Sequence, residues 1–132
     1  MSSIFNKNYV NVTYKDKKST YPEKFCRYLF SEFTRNSKIL DVGCGNGDFT
    51  IELQKMGFDV HGIDISDQHI LKEKFTKVNI QTDKYPFPDN HFDIVFSKSV
   101  IEHLNDPDYL FDEVYRILKP GGTFICLTPS YK

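Results

Sequence analysis

Alanine and tryptophan are absent from this 132-residue sequence, and arginine is scarce, since 14 of its 17 basic residues are lysine. We read that skew as nucleotide bias in the coding sequence, without functional content. Cysteine is sparse as well. Cys26, Cys44 and Cys126 are widely spaced, and an odd count without Cys-x-x-Cys spacing supports neither a disulfide framework nor a zinc site. Such thiols suit a reducing compartment, so the expected location is the cytoplasm. No apolar run approaches the roughly 18 residues of a membrane-spanning helix, so no membrane role is expected. The opening MSSIFNKNYV lacks a basic segment followed by an apolar one, so no secretory signal is expected. An excess of one charge sign is missing too. Seventeen basic against 18 acidic residues leave a net charge of −1, which argues against a broad nucleic-acid surface.

What is present suits a single globular domain: 39% apolar, 15% aromatic and 27% charged residues. A chain of this length buries roughly two-thirds of its unfolded surface, enough for a core without disulfides or metal. Residues 1–20 are polar and unpatterned and read as an arm or cap, with the domain proper at 21–132. From Pro22, the residues Phe25, Cys26, Leu29, Phe30 and Phe33 recur at helical spacing. The chain then alternates. Strands are predicted at Lys38–Val42, Phe58–Ile63, Thr76–Ile80, Phe92–Phe96 and Thr123–Leu127. Helices are predicted at Asn46–Met56, Ser66–Leu71 and Pro107–Leu118, the last with Asp106 as N-cap and Pro107 in the first position. This alternation implies βαβ units, hence an α/β doubly wound parallel sheet with helices on both faces. Ligands of such sheets bind beyond the carboxyl ends of the strands, where strand order reverses.

The first of these strands runs into Asp41-Val42-Gly43-Cys44-Gly45-Asn46-Gly47. Glycines at alternate positions permit tight backbone and close ligand approach at a helix start. A dinucleotide-binding fingerprint wants a third glycine where Asp48 stands, and a phosphate loop wants Gly-Lys-Ser/Thr, which is absent. Asp41 at the strand end repels a pyrophosphate and attracts a cation. S-adenosylmethionine carries an ammonium and a sulfonium and no phosphate. The next strand ends in Gly62-Ile63-Asp64, where a carboxylate can accept both hydroxyls of a ribose. Asp64 and Ser66 equally suit the cap of a following helix.

The segments ILDVGCGNG, HGIDIS, YPFPDNHFDIVFSKSVIEHL and RILKPGGTFICLTP, covering about residues 37–129, resemble the class I S-adenosylmethionine-dependent methyltransferases in order and spacing. The resemblance implies a Rossmann-like sheet with S-adenosylmethionine as cofactor and S-adenosylhomocysteine as product. It implies that Asp41, Gly43, Cys44 and Gly45 lie at the methionine part, Asp64 at the ribose and Ile65 against the adenine. Asn79 occupies one position where the family often carries an adenine-binding aspartate, with Gln81 at another, and Ile80 stands between them. Ser97 faces the methionine region, and Lys98–Leu104 line the route to the methyl group. His103 is the candidate general base. Some relatives bind a divalent metal through Glu-x-x-Glu-His; here Ser99 replaces the first glutamate, so no metal is expected. His61, His69 and His91 have no partner at ligand spacing and are expected to be structural.

The expected function is methyl transfer to an acceptor the sequence does not identify, with a small molecule favoured. The alternatives are a cofactor-binding domain without turnover, acting as a partner subunit, and, least favoured, a dinucleotide-binding oxidoreductase. The family's sixth and seventh strands have no counterpart here. Thr123–Leu127 is apolar on both faces, with Phe124 and Cys126 on one and Ile125 and Leu127 on the other. Such a strand belongs inside a covered sheet. The expectation is therefore a chain incomplete at its C-terminus, or a homodimer or partner chain covering this strand.

Overall fold

A computed structural model describes residues 8–14 and 22–129. Strands β1 (Asn8–Tyr14), β2 (Lys38–Val42), β3 (Asp59–Asp64), β4 (Phe75–Lys77), β5 (Phe92–Lys98) and β6 (Leu118–Pro129) form one sheet in the order β1-β6-β5-β2-β3-β4. Every pairing is parallel. Helices α1 (Pro22–Phe30), α2 (Asp48–Lys55) and α3 (Pro107–Ile117) cover it. The expected α/β doubly wound architecture is what forms.

Strand alternation divides the core in two. Ile39, Val60, Ile94, Phe96, Ile125 and Leu127 point to one face, where they meet Cys26 and Phe30 of α1 and Leu53 of α2. Leu40, Val42, Ile63, Val95, Phe124 and Cys126 point to the other, against Leu110, Phe111, Val114 and Ile117 of α3. In each helix the buried residues recur every three or four positions, so one stripe faces the sheet. Asp106 caps α3 by accepting from the Asp108 N–H at 3.1 Å, and Pro107 occupies the first turn, as the sequence predicts.

Three elements depart from expectation. Ser66–Leu71 is not helical; one 3-10 turn at Lys72–Lys74 follows instead. Its amides are committed elsewhere: Ser66 N–H to Asp64 Oδ1, Ile70 N–H to the Asn46 carbonyl, Leu71 N–H to His69 Nδ1. Local side-chain acceptors of this kind compete with a helix. β6 begins at Leu118, and between the pairs Phe92–Leu118 and Ile94–Thr123 the segment Lys119–Gly122 bulges out around Gly121 at φ 83°. Finally, the edge of Thr123–Leu127 is not bare. β1, from the segment read as an arm, pairs along it from Asn8–Thr123 to Tyr14–Pro129. The backbone groups expected to need a second chain are thus satisfied within this one.

The order places β2 beside β5, with β3 and β4 on one side and β6 and β1 on the other. Consecutive connections leave β2 in one direction and β5 in the opposite one. The crevice beyond the carboxyl ends of β2 and β5 is the topological switch point.

Candidate functional site

A cavity of about 390 Å³ opens at that crevice. Its β2–β3–β4 side is built from Gly43, Asp64, Ile65, Asn79, Ile80 and Gln81. Its β5 side is built from Lys98, Ser99, Val100, His103 and Leu104. The volume suits a small organic ligand, and the wall mixes apolar side chains with a few convergent polar groups.

The glycine loop gets its shape from three left-handed positions, Gly43 at φ 75°, Gly45 at φ 58° and Gly47 at φ 97°. At Gly43 a side chain would land on Val100 Cγ2, so the loop and the segment after β5 touch only because glycine stands there. The Gly43 and Cys44 amides both donate to the Ile63 carbonyl, at 2.8 and 3.1 Å. At Gly47 a side chain would meet the ring of buried His69. His69 Nδ1 accepts from Leu71 N–H, so the neutral ring carries its proton on Nε2, and the ring stacks on Phe75 at 5.4 Å. Burial holds its pKa below the ordinary histidine value.

Asp64 is the best-anchored carboxylate at the cavity. Oδ2 accepts from the Gly45 amide at 2.9 Å and Oδ1 from the Ser66 amide at 2.8 Å. Each oxygen keeps a further lone pair. No helix follows for Asp64 to cap; its Ser66 contact closes a local turn instead, and the carboxylate stands on the cavity wall. Ile65 beside it is 59% exposed, an apolar surface at the rim. Asn79 belongs to the same side: its Oδ1 accepts from Gln81 N–H, and its own N–H donates to Asp83 Oδ2. Gln81 Oε1 in turn accepts from Asn105 N–H at 3.0 Å, which joins the loop after β4 to the loop after β5.

Not every predicted site residue reaches the cavity. Asp41 is on β2, but alternation turns it toward α2, where its Oδ2 accepts from the Thr50 hydroxyl at 2.9 Å. It is 3% exposed. Burial pushes its carboxyl up to about 7; the Thr50 hydrogen bond opposes this, the Asp64 charge adds to it, and the Lys98 charge opposes it. Cys44 is half-buried with Sγ against Gly62, and burial first, then the charges of Asp41 and Asp64, push its thiol up, which makes it inert. Gly45 shapes the loop and tethers Asp64 without itself lining the wall. Ser97 is fully buried at the end of β5, and its hydroxyl has no hydrogen-bond partner among the described residues.

His103 does line the cavity. Its side chain is 74% exposed, in a single 3-10 turn, with Nε2 3.9 Å from Glu102 Oε2. Among the described residues no three His, Cys, Asp or Glu side chains gather as metal ligands do. His61 bonds Thr76 at 2.8 Å and His91 stacks on Phe87, both inside the fold. Sequence reasoning gave Gln81 and Val100 little weight. Gln81 stands two residues from Asn79 with a side chain long enough to cross the cleft, and the signal for Val100 was the glycine it presses on.

Comparison with known proteins supplies the chemistry. Residues 40–126 match a family model described as a methyltransferase domain. The chain is 38% identical over 104 residues to phosphoethanolamine N-methyltransferase 2 of Caenorhabditis elegans, which covers 70% of this chain and 24% of that enzyme. It is 33% identical over 123 residues to an uncharacterized methyltransferase of Schizosaccharomyces pombe, covering 80% of this chain and 44% of that one. Among solved structures, phosphoethanolamine N-methyltransferase 2 of Haemonchus contortus, crystallised with S-adenosyl-L-methionine, superposes with a TM-score of 0.66 at 31% identity. That match covers 78% of this chain and 27% of the other. The chain thus spans less than half the length of these relatives. No helix among the described residues is long and apolar enough to cross a membrane.

Proposed function

This chain belongs to the class I S-adenosylmethionine-dependent methyltransferase family, and we propose that its switch-point cavity seats S-adenosylmethionine and directs its methyl group to a small-molecule acceptor. One observation carries the reading. Asp64 ends β3 on the cavity wall, both carboxylate oxygens fixed by backbone amides, next to a glycine loop that leaves room at Gly43. A carboxylate so held is prepared to accept two ribose hydroxyls without reorganising.

The residues present fit such a ligand. Ile65 and Ile80 offer apolar surfaces for an adenine, and Asn79 a carbonyl oxygen for its amino group. Gly43 lets the methionine arm pass close to the backbone. Ser97, with its buried unpartnered hydroxyl, and Asp41, under the loop, shape the floor beneath that arm. Cys44 and Gly45 hold the turn. When bound, S-adenosylmethionine supplies the activated methyl group, so the protein's contribution is alignment and exclusion of water. Val100, His103 and Leu104 close the side from which an acceptor enters. His103 is placed to take a proton from a nucleophile that must lose one, and its exposure suits contact with a second substrate.

The test is calorimetry with S-adenosylhomocysteine. Asp64→Ala removes charge-assisted hydrogen bonds worth roughly 1.5–3 kcal/mol each. Affinity should fall at least tenfold in a protein that still melts cooperatively. An unchanged affinity would remove Asp64 from the ribose.

A further inference from the structure

The segment between β3 and β4 is tied to the glycine loop like a strap. Its Ser66 amide donates to Asp64 Oδ1, and its Ile70 amide donates to the Asn46 carbonyl at 2.9 Å. It carries Ile65 at the cavity rim. His69 is the strap residue that turns inward. It is buried, with its ring stacked on Phe75 of β4 and its Nε2 edge against Gly47.

A histidine fits this place in one form only. Nδ1 accepts from the Leu71 amide at 2.9 Å, and only the neutral ring can accept there. The proton then sits on Nε2, which is buried and has no hydrogen-bond partner among the described residues. An unsatisfied buried donor is destabilising, and an apolar side chain would avoid it. What histidine adds is a second protonation state. A proton on Nδ1 sets one donor against the Leu71 N–H, and the ring then holds two N–H groups with an acceptor at neither. Gly47 and Phe75 carry no charge to offset the cation. The charges that reach the ring are Lys72 and Glu73 of the 3-10 turn, opposite in sign, and on β3 the titrating ring of His61. On the loop side the acids are Asp48 at the start of α2 and Asp64, whose oxygens accept from the Gly45 and Ser66 amides.

We propose that His69 is a positioning residue of the cavity: its neutral ring holds the strap, and with it Asp64 and Ile65, in the geometry that binds the cofactor, and a proton taken up from solvent at Nδ1 releases the strap and weakens binding. The inference rests on the proposed cofactor reading. By linkage, the bound ligand must in return drive the proton off His69.

The experiment measures S-adenosylhomocysteine affinity by calorimetry at pH 7.5 and pH 5 in the wild-type chain, His69→Gln and His69→Met. Between the two pH values the wild type should lose at least fivefold more affinity than either variant. At pH 7.5 His69→Met, which leaves the Leu71 amide without its acceptor, should bind more weakly than the wild type. His69→Gln, whose carbonyl oxygen can accept from that amide, should recover part of the loss. His103 and Asp41 are present in all three proteins, so their contributions are common to the comparison. The wild type alone gives a second reading. In proton NMR the His69 ring, assigned through its contact with Phe75, should titrate at lower pH when S-adenosylhomocysteine is saturating. A fivefold effect on affinity corresponds to a midpoint lower by about 0.7. The same pH response in all three proteins overturns the proposal. So does a His69 midpoint that the ligand leaves unchanged, which would make the ring a packing residue, and this reading needs no variant to fold. A wild type that binds no S-adenosylhomocysteine at pH 7.5 overturns the cofactor reading itself.

Discussion

The two walls of the cavity are built differently. The β3 wall is cross-braced: Ile63 accepts from Gly43 and Cys44, Asp64 from Gly45 and Ser66, and Asn46 from Ile70. Its polar atoms are pointed before any ligand arrives. The β5 wall is a strand end running into one 3-10 turn, and it presents long side chains, with His103 74% exposed. The β5 wall carries its own backbone departure, with Ser99 in the left-handed region at φ 58°. The two walls thus differ in how far their groups are fixed before a ligand arrives.

The point where the walls touch gives the sharpest test of that division. Gly43→Ala puts a methyl group on Val100 and forces a left-handed alanine. The conformation costs roughly 1–2 kcal/mol, and the overlap about 1–3 kcal/mol more. Gly45→Ala incurs only the conformational part, since nothing lies within 4 Å of its Cβ position. Urea melts should order the two accordingly, and S-adenosylhomocysteine binding should be lost in Gly43→Ala first. Adding Val100→Ala should recover part of the deficit in Gly43→Ala and none in Gly45→Ala. Equal penalties for the two alanines would show that the walls are not in contact.

Asp41 tests what lies beneath the braced wall. Its carboxyl is raised to about 7, so between the ordinary carboxylate range and 7 the folded chain holds a proton that the unfolded chain releases. Stability should therefore fall as pH rises from about 4, with the loss complete just above 7. Three pKa units correspond to an upper figure of about 4 kcal/mol. Asp41→Asn keeps an acceptor for the Thr50 hydroxyl without the charge, and it should abolish this part of the slope. Urea midpoints at pH 4.5, 6 and 8 decide it: parallel profiles for the two proteins would mean that Asp41 stays ionised.

The difference between the walls also explains what could be read in advance. Asp64 and the glycine loop were legible because a strand end, three glycines and a carboxylate each demand a particular backbone, and demands of that kind survive in sequence. Lys98 was visible as a residue but not as a cation beside Phe49, since that pairing depends on which face β5 turns toward α2. Asp41 failed to reach the cavity for the same reason, one residue of alternation. β1 was missed although Tyr9, Val10, Val12, Thr13 and Tyr14 are good strand formers, because edge pairing needs no two-residue alternation. The expected helix at Ser66–Leu71 failed because Asp64 and His69 take its amides.

The smallest effect in folding and cofactor binding is expected from His103→Gln. The ring lies at the outer end of the β5 wall, and its one resolved ionic neighbour is Glu102 at 3.9 Å. An exposed pair of this kind contributes on the order of 0–1 kcal/mol. Glutamine keeps hydrogen-bonding capacity at the same place without the imidazole. The variant should melt within a few degrees of the wild type, and it should bind S-adenosylhomocysteine within twofold. Turnover of an acceptor that must shed a proton should fall by about 100- to 10,000-fold, whereas an acceptor already deprotonated in solution should be methylated at nearly the original rate. A tenfold loss of S-adenosylhomocysteine affinity would break the division between the walls, because it would make His103 a cofactor residue and leave the acceptor side without its base.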